Sequence, residues 1–226
     1  MSEVRDRLAA LRAHIQVLRP ENPCRIMAVS KGQTRERIDE AKAAGIDLFG
    51  ENRVQEAMAK WADSPRSTDL HLIGHLQSNK VKYAIQLFSA IDSIDSESIA
   101  EALNHRLSHE FSVMLEVNVG REPSKSGLNP DCVRLFLDRA ERFNFLRFDG
   151  ILAMLPQARD SSAEESQRIR RLMQETSELW RSCQSDQWPW APLWELSMGM
   201  TNDYEWALEA GATMIRIGQG IFGPRG

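Results

Sequence analysis

Residues 24–45, CRIMAVSKGQTRERIDEAKAAG, decide the fold. Cys24–Val29 is a short apolar run without helical period, and Lys31-Gly32 breaks it. Thr34–Ala44 then reads as a helix, with Thr34 as its N-cap and Gly45 just past its end. The same unit recurs along the chain. Further apolar runs lie at Asp47–Gly50, Leu70–Gly74, Phe88–Ile91, Ser112–Val119, Phe148–Met154, Trp194–Ser197 and Thr213–Ile217. Helix-like stretches at 52–61, 78–86, 97–108, 130–142, 163–182 and 202–210 separate them, the longest opening on the capping box Ser162-Ala163-Glu164-Glu165. Strands that alternate with helices pair in parallel, because a parallel crossover needs a connection of helix length. The expected fold is therefore α/β, one domain over residues 1–226: a closed (β/α)8 TIM-type barrel from about residue 24 to 226. An amphipathic N-terminal helix at about 2–18 precedes it, with Val4, Leu8, Leu11, Ile15 and Leu18 on one face and Pro20 and Pro23 after it. An open doubly wound sheet is the alternative, but its GxGxxG fingerprint does not follow the first strand.

Composition narrows the function classes. With 226 residues, 42% hydrophobic and 27% charged, the chain is an ordinary globular one, too long to depend on disulfides or metals for a core. A net charge of −4 provides no basic field for nucleic acid or an anionic membrane. The apolar runs fall far short of the roughly 18 residues of a membrane span. Glu3, Arg5, Asp6 and Arg7 are unlike the apolar centre of a signal peptide, so a cytoplasmic protein is expected. Cys24, Cys132 and Cys183 form no CxxC or Cys/His cluster, in keeping with a reducing compartment.

In a barrel, chemistry gathers at the C-terminal ends of the strands. Those positions read Lys31, Asn52, His75, Asp92 with Ser93, Asn118, Met154, Ser197, and Arg216 with Gly218. Of six lysines against twenty-two arginines, Lys31 alone directly follows an apolar run. Desolvation there favours the neutral, nucleophilic amine that a Schiff base requires; the bland reading is a lysine that reaches solvent or pairs with Asp47 or Glu51. Lys125, in Ser124-Lys125-Ser126-Gly127, is the second amine near the same mouth. The loops after strands seven and eight, Ser197-Met198-Gly199-Met200-Thr201 and Ile217-Gly218-Gln219-Gly220, lie where barrels bind phosphate. Ser197 is expected to supply a hydroxyl, and Gly218 and Gln219 backbone amides. Arg216 alternates with Ile215 and Ile217, so it points inward and needs a partner: Glu195 on the structural reading, a ligand acceptor on the functional one. His71 and His75 stand about 13 Å apart along a strand and cannot grip one metal ion, so no metal site is expected. Trp188, Trp190 and Trp194 are expected to cover the core before strand seven, with a partner surface as the alternative.

Several ordered motifs carry a resemblance. They are Ala28-Val29-Ser30-Lys31; Phe49-Gly50-Glu51-Asn52 with Gln55-Glu56; residues His71 to Lys80; Ser124-Lys125-Ser126-Gly127; Leu196 to Met200 with Asp203; and Arg216-Ile217-Gly218 with Ile221-Phe222-Gly223. From about residue 24 onward the chain resembles the pyridoxal-phosphate homeostasis proteins, whose barrel is similar to the N-terminal domain of alanine racemase. The resemblance implies pyridoxal 5′-phosphate (PLP) held as a Schiff base on Lys31. It also implies phosphate contacts from Ser197 and the Gly218–Gln219 backbone, Arg216 at the pyridine nitrogen, and Asn52 beside the imine. Three positions depart from the family pattern. Gln219 replaces a usual Thr or Ser, Thr201 a usual Ser, and the Gly150–Pro156 stretch shifts the usual methionine.

The chemistry open to such a site is limited. A pyridine nitrogen facing a permanent cation stays unprotonated and is a poor electron sink. Racemisation needs acid–base groups on both faces of the substrate carbon, and alanine racemase draws one of them from a second domain. The expected role is a carrier of PLP in intracellular vitamin B6 homeostasis, with little or no catalysis, handing the cofactor to PLP-dependent acceptor enzymes. The alternatives are a PLP-dependent amino-acid racemase, a phosphosugar barrel enzyme with Lys31 as its Schiff-base lysine, and a scaffold that uses the tryptophan patch.

Overall fold

A computed structural model describes residues 2–21, 24–62, 68–156, 160 and 162–224; Pro23 and the last two positions of the expected barrel lie outside the described residues. The elements run α1 (Glu3–Leu18), β1 (Arg25–Val29), α2 (Arg35–Ala43), β2 (Leu48–Glu51), α3 (Val54–Trp61), β3 (Asp69–Leu72), α4 (Val81–Leu87) and β4 (Ala90–Ile94). They continue α5 (Glu97–Asn104), β5 (Phe111–Asn118), α6 (Val133–Arg139), β6 (Leu146–Met154), α7 (Ala163–Gln184), β7 (Glu195–Ser197), α8 (Tyr204–Ala210), β8 (Met214–Ile217) and α9 (Gln219–Phe222). The strands close into a parallel barrel in chain order, and β8 returns to β1 from Arg25↔Met214 to Ala28↔Ile217. That closure excludes the open sheet.

Differences from the expected elements are local. The stretch 130–142 is a short α6 between two 3₁₀ turns, Pro130–Cys132 and Ala140–Arg142, with Asn129 capping the first turn through the Asp131 amide. Ser162 caps α7 as expected, accepting from the Glu165 amide at 3.2 Å. The four-residue α9 is too short to leave a periodic signal. Leu18, placed on the apolar face of the first helix, is exposed, whereas Val4, Leu8, Leu11 and Ile15 are buried. Trp188 and Trp190 pack on the core as expected, but Trp194 is 52% exposed and lies under the Arg147 guanidinium.

Side chains alternate between the two faces of each strand, and in a closed barrel those faces are the outer core and the lumen. Ala28, Phe49, Leu72, Val113, Leu115, Phe148, Leu196 and Ile215 belong to one large core beneath the helices. Met27, Leu48 and Met214 form a separate buried cluster with Ile73 against it, an apolar plug inside the barrel. Besides Met114 and Leu152, which are buried yet outside the outer core, the lumen carries many polar side chains, which the near-continuous apolar reading of the strands does not anticipate. Arg25 reaches Asp69 at 3.2 Å and Glu195 at 3.7 Å, and Arg147 holds Asp149 at 2.6 Å. In β4 the register shifts between Ile91 and Ile94, and this irregularity carries the fully buried Asp92 and Ser93.

Met27→Ala empties part of the plug in a lumen that cannot collapse. It is expected to cost about 2–5 kcal/mol in urea denaturation, more than the same truncation at exposed Met58.

Candidate functional site

The ends of β1 and β2 set the first corner of the mouth. Ser30 continues the ladder by donating its amide to Gly50 O at 3.0 Å, and the Gln33 amide returns to Ser30 O at 3.0 Å. Gly32 takes φ +71°, so the chain turns immediately after Lys31, which stands half-buried at the rim. Glu51, fully buried, holds Lys60 at 2.7 Å. Beside them, Asn52 Oδ1 is buried without a hydrogen-bond partner among the described residues. The loop after β3 crosses closely over this residue: a Cβ at Gly74 would sit 2.2 Å from Asn52 O.

Beside this corner, on the strand that pairs with β1, Arg216 is buried and points into the lumen. Nη1 donates to Ser197 O at 2.7 Å and Ser197 Oγ at 2.8 Å, and Nη2 to Ala153 O at 3.0 Å. All three acceptors are neutral. The expected structural partner, Glu195, lies instead at the other end of the barrel against Arg25; it stands two residues before Ser197 on the same inward face, one layer below. Burial works against the Arg216 cation, and the fields of Asp203, Asp92 and Glu116 support it.

The two loops after β7 and β8 meet at α9. The Gly220 amide donates to Thr201 Oγ1 at 3.2 Å, and the Arg216 amide donates to Gly199 O at 3.0 Å. Gly199 takes φ +90° with Ala207 Cβ only 2.5 Å from where its own Cβ would be, so glycine alone lets this loop lie on α8. Asp203 closes the loop by accepting from the Met200 amide at 2.6 Å. Gln219 opens α9 beside Gly218, and the first amide of a helix has no acceptor within it; the Gln219 side chain itself is exposed. Ser197 therefore faces Arg216, while Thr201 provides the hydroxyl at the loop junction. The sequence marks Thr201 only as a departure, because its hydroxyl and that of Ser197 stand four residues apart in one loop.

Other strand-end residues separate into structural roles. Asn118 Nδ2 donates to Glu122 O at 2.8 Å and Lys125 O at 3.2 Å, holding the loop after β5. Lys125 Nζ donates to Leu155 O at 3.1 Å and pairs with Glu122 at 2.5 Å. His71 and His75 are separately bonded, His71 to Asp92 at 2.9 Å and to Asp69 at 3.3 Å, His75 to Asp95 at 2.6 Å. No group of three metal-ligating side chains occurs among the described residues. Glu116 accepts from Ser126 Oγ at 2.6 Å, and burial raises its pKa.

The alanine racemase N-terminal domain family model matches residues 7–226. A Pasteurella multocida pyridoxal phosphate homeostasis protein is 34% identical over 216 residues, covering 93% of this chain and 90% of its own. A Schizosaccharomyces pombe protein of the same name is 31% identical over 230 residues, covering 100% of this chain and 94% of its own. The chain belongs to this family. Among solved structures, PipY of Synechococcus elongatus with PLP bound superposes with TM-score 0.83 at 34% identity, covering 98% of this chain and 100% of that one. Alanine racemase from Corynebacterium glutamicum shares the fold at TM-score 0.63 and 16% identity, and this chain spans 60% of it.

The lumen beneath this family mouth holds a histidine between two carboxylates. Burial alone would depress the His71 imidazolium, but Asp92 and Asp69 on its two nitrogens outweigh it and raise the pKa to about 10. A folded pKa above the unfolded value of about 6.5 means the stabilisation is complete below pH 6.5 and fades as pH rises toward 10. His71 should stay protonated at pH 8 by side-chain nitrogen NMR, and wild type should lose more stability than His71→Asn between pH 7 and 9.5. A neutral His71 at pH 8 contradicts this assignment.

Proposed function

We propose that this chain binds PLP in the barrel mouth, with Lys31 as the amine that bonds it, and acts in PLP homeostasis with little or no catalysis. The whole chain serves as a single PLP-binding domain. One observation carries the reading: a buried cation, Arg216, whose three bonds to neutral oxygens among the described residues leave part of its five-donor fork for a ligand. A buried guanidinium without a bonded carboxylate calls for an acceptor from a ligand. A pyridine nitrogen is such an acceptor.

The rest of the mouth suits the same ligand. Asn52 Oδ1 is a buried acceptor awaiting a donor, on the strand end that neighbours Lys31. Thr201 Oγ1, Ser197 Oγ and the Gly218–Gln219 amides supply donors for a phosphate, and Thr201 is the hydroxyl best placed at α9. The exposed Gln219 side chain leaves only its backbone for this task. PLP brings an aldehyde that condenses with a primary amine, with loss of water. This chain's residues seat the ring, keep its nitrogen unprotonated through Arg216, and hold the phosphate. A deprotonated ring nitrogen withdraws electrons poorly, which supports storage and hand-over to acceptor enzymes rather than turnover. The names of the relatives, homeostasis proteins along 90% or more of their length, agree with that role.

Purified protein mixed with PLP should develop a visible absorption band that disappears in Lys31→Ala, and borohydride reduction should leave a pyridoxyl mass on the peptide containing Lys31. Thr201→Val should weaken PLP binding about tenfold, the value of one hydrogen bond to a charged group. A colourless wild-type protein, or a label on another lysine, would sink the proposal. Racemisation of an L-amino acid, followed by chiral chromatography, would move the protein to the enzyme class.

A further inference from the structure

The peptide groups on either side of Lys31 are both gripped by α3. Glu56 Oε1 accepts from the Gly32 amide at 2.6 Å, and Lys60 Nζ donates to Ser30 O at 2.7 Å. Ser30 O belongs to the peptide plane before Lys31 and Gly32 N to the plane after it. Each plane is rigid, so holding both sets the two backbone torsions of Lys31 and the direction in which its side chain departs.

The grip is itself locked. Lys60 Nζ also donates to Glu56 Oε1 at 2.8 Å and forms an ion pair with Glu51 Oε1 at 2.7 Å. Glu51 Oε1 accepts in addition from Ser30 Oγ at 2.7 Å and from Trp61 Nε1 at 3.1 Å. Glu56, Lys60 and Trp61 all stand on α3, the first two one turn apart, while Glu51 ends β2. Burial opposes the charge on Glu56, but the Gly32 amide and Lys60 overcome it and hold the carboxylate ionised. A Gly32 at φ +71° completes the turn that this carboxylate caps.

We infer that Glu56, Lys60 and Glu51 form a positioning clamp that presents the Lys31 amine to an aldehyde ligand in the barrel mouth. The clamp residues do not touch the ligand; they act through the backbone of Lys31. This inference rests on the proposed PLP-binding role of Lys31. It makes a distinction that ordinary stabilisation does not: losing the clamp should harm bonding to Lys31 while leaving non-covalent seating in the mouth intact.

The test compares two ligands of one shape. PLP carries the aldehyde, and pyridoxine 5′-phosphate carries an alcohol there and cannot bond the amine. In Glu56→Leu, partly exposed and therefore tolerant of change, the rate of PLP band formation should fall about tenfold or more, the scale of a misaligned reacting group. The affinity for pyridoxine 5′-phosphate should stay within about twofold. Glu56→Gln keeps an acceptor for the Gly32 amide and should restore most of the rate, and Lys60→Met should repeat the Glu56→Leu defect. Unchanged PLP uptake in Glu56→Leu and Lys60→Met overturns the clamp, as does an equal loss for both ligands. A wild-type protein that takes up no PLP at all overturns instead the reading of Lys31 on which the clamp rests.

Discussion

A closed parallel sheet has no edge, and its two faces look into different surroundings: one onto helices, the other into a lumen sealed from water at its centre. Everything at this site depends on that geometry. Residues with odd and even positions along a strand are sent to opposite sides, so Ile215 and Ile217 anchor β8 to the outer core while Arg216, between them, is driven into the mouth. The outer face obtains its stability from apolar burial. The inner face is then available for chemistry.

That inner face contains much charge. Arg25, Asp69, His71, Asp92, Glu195 and Arg216 run through the lumen in layers, together with the apolar Met27–Leu48–Met214 plug. Charges buried in this way must be paired, and the pairings divide by depth. Near the bottom Arg25 and His71 meet carboxylates directly. Near the top Arg216 bonds to neutral oxygens among the described residues, with carboxylates contributing through their fields. The same type of cation is thus paired with carboxylates at one end and bonded to neutral oxygens at the other.

Much of the fold was legible because its signals are local. Apolar runs, Gly45 at +87° past α2, and the Ser162 cap on α7 depend on neighbours within a few residues, and the alternation that turns Arg216 inward is a property of any strand. The partner of Arg216 was not legible. Glu195 and Ser197 share a face of β7, and only the register Ser197↔Met214 decides which of them lies level with the guanidinium. The grip on Lys31 was hidden for the same reason: Glu56 and Lys60 look like a surface pair at i and i+4 until α3 is laid against the end of β1.

By itself the sequence determined that strands and helices alternate eight times, that a lysine ends the first strand, that an arginine points into the barrel from the last, and that glycine-containing loops follow strands seven and eight. Tertiary structure alone decided the pairings: Lys60 with Glu51 and Ser30, His71 between two aspartates, Ser197 with Arg216, and Thr201 with α9. The reason is range. Periodicity and capping act over one turn or one strand, whereas most of these bonds join residues on different elements, whose separation is set only once the sheet has closed.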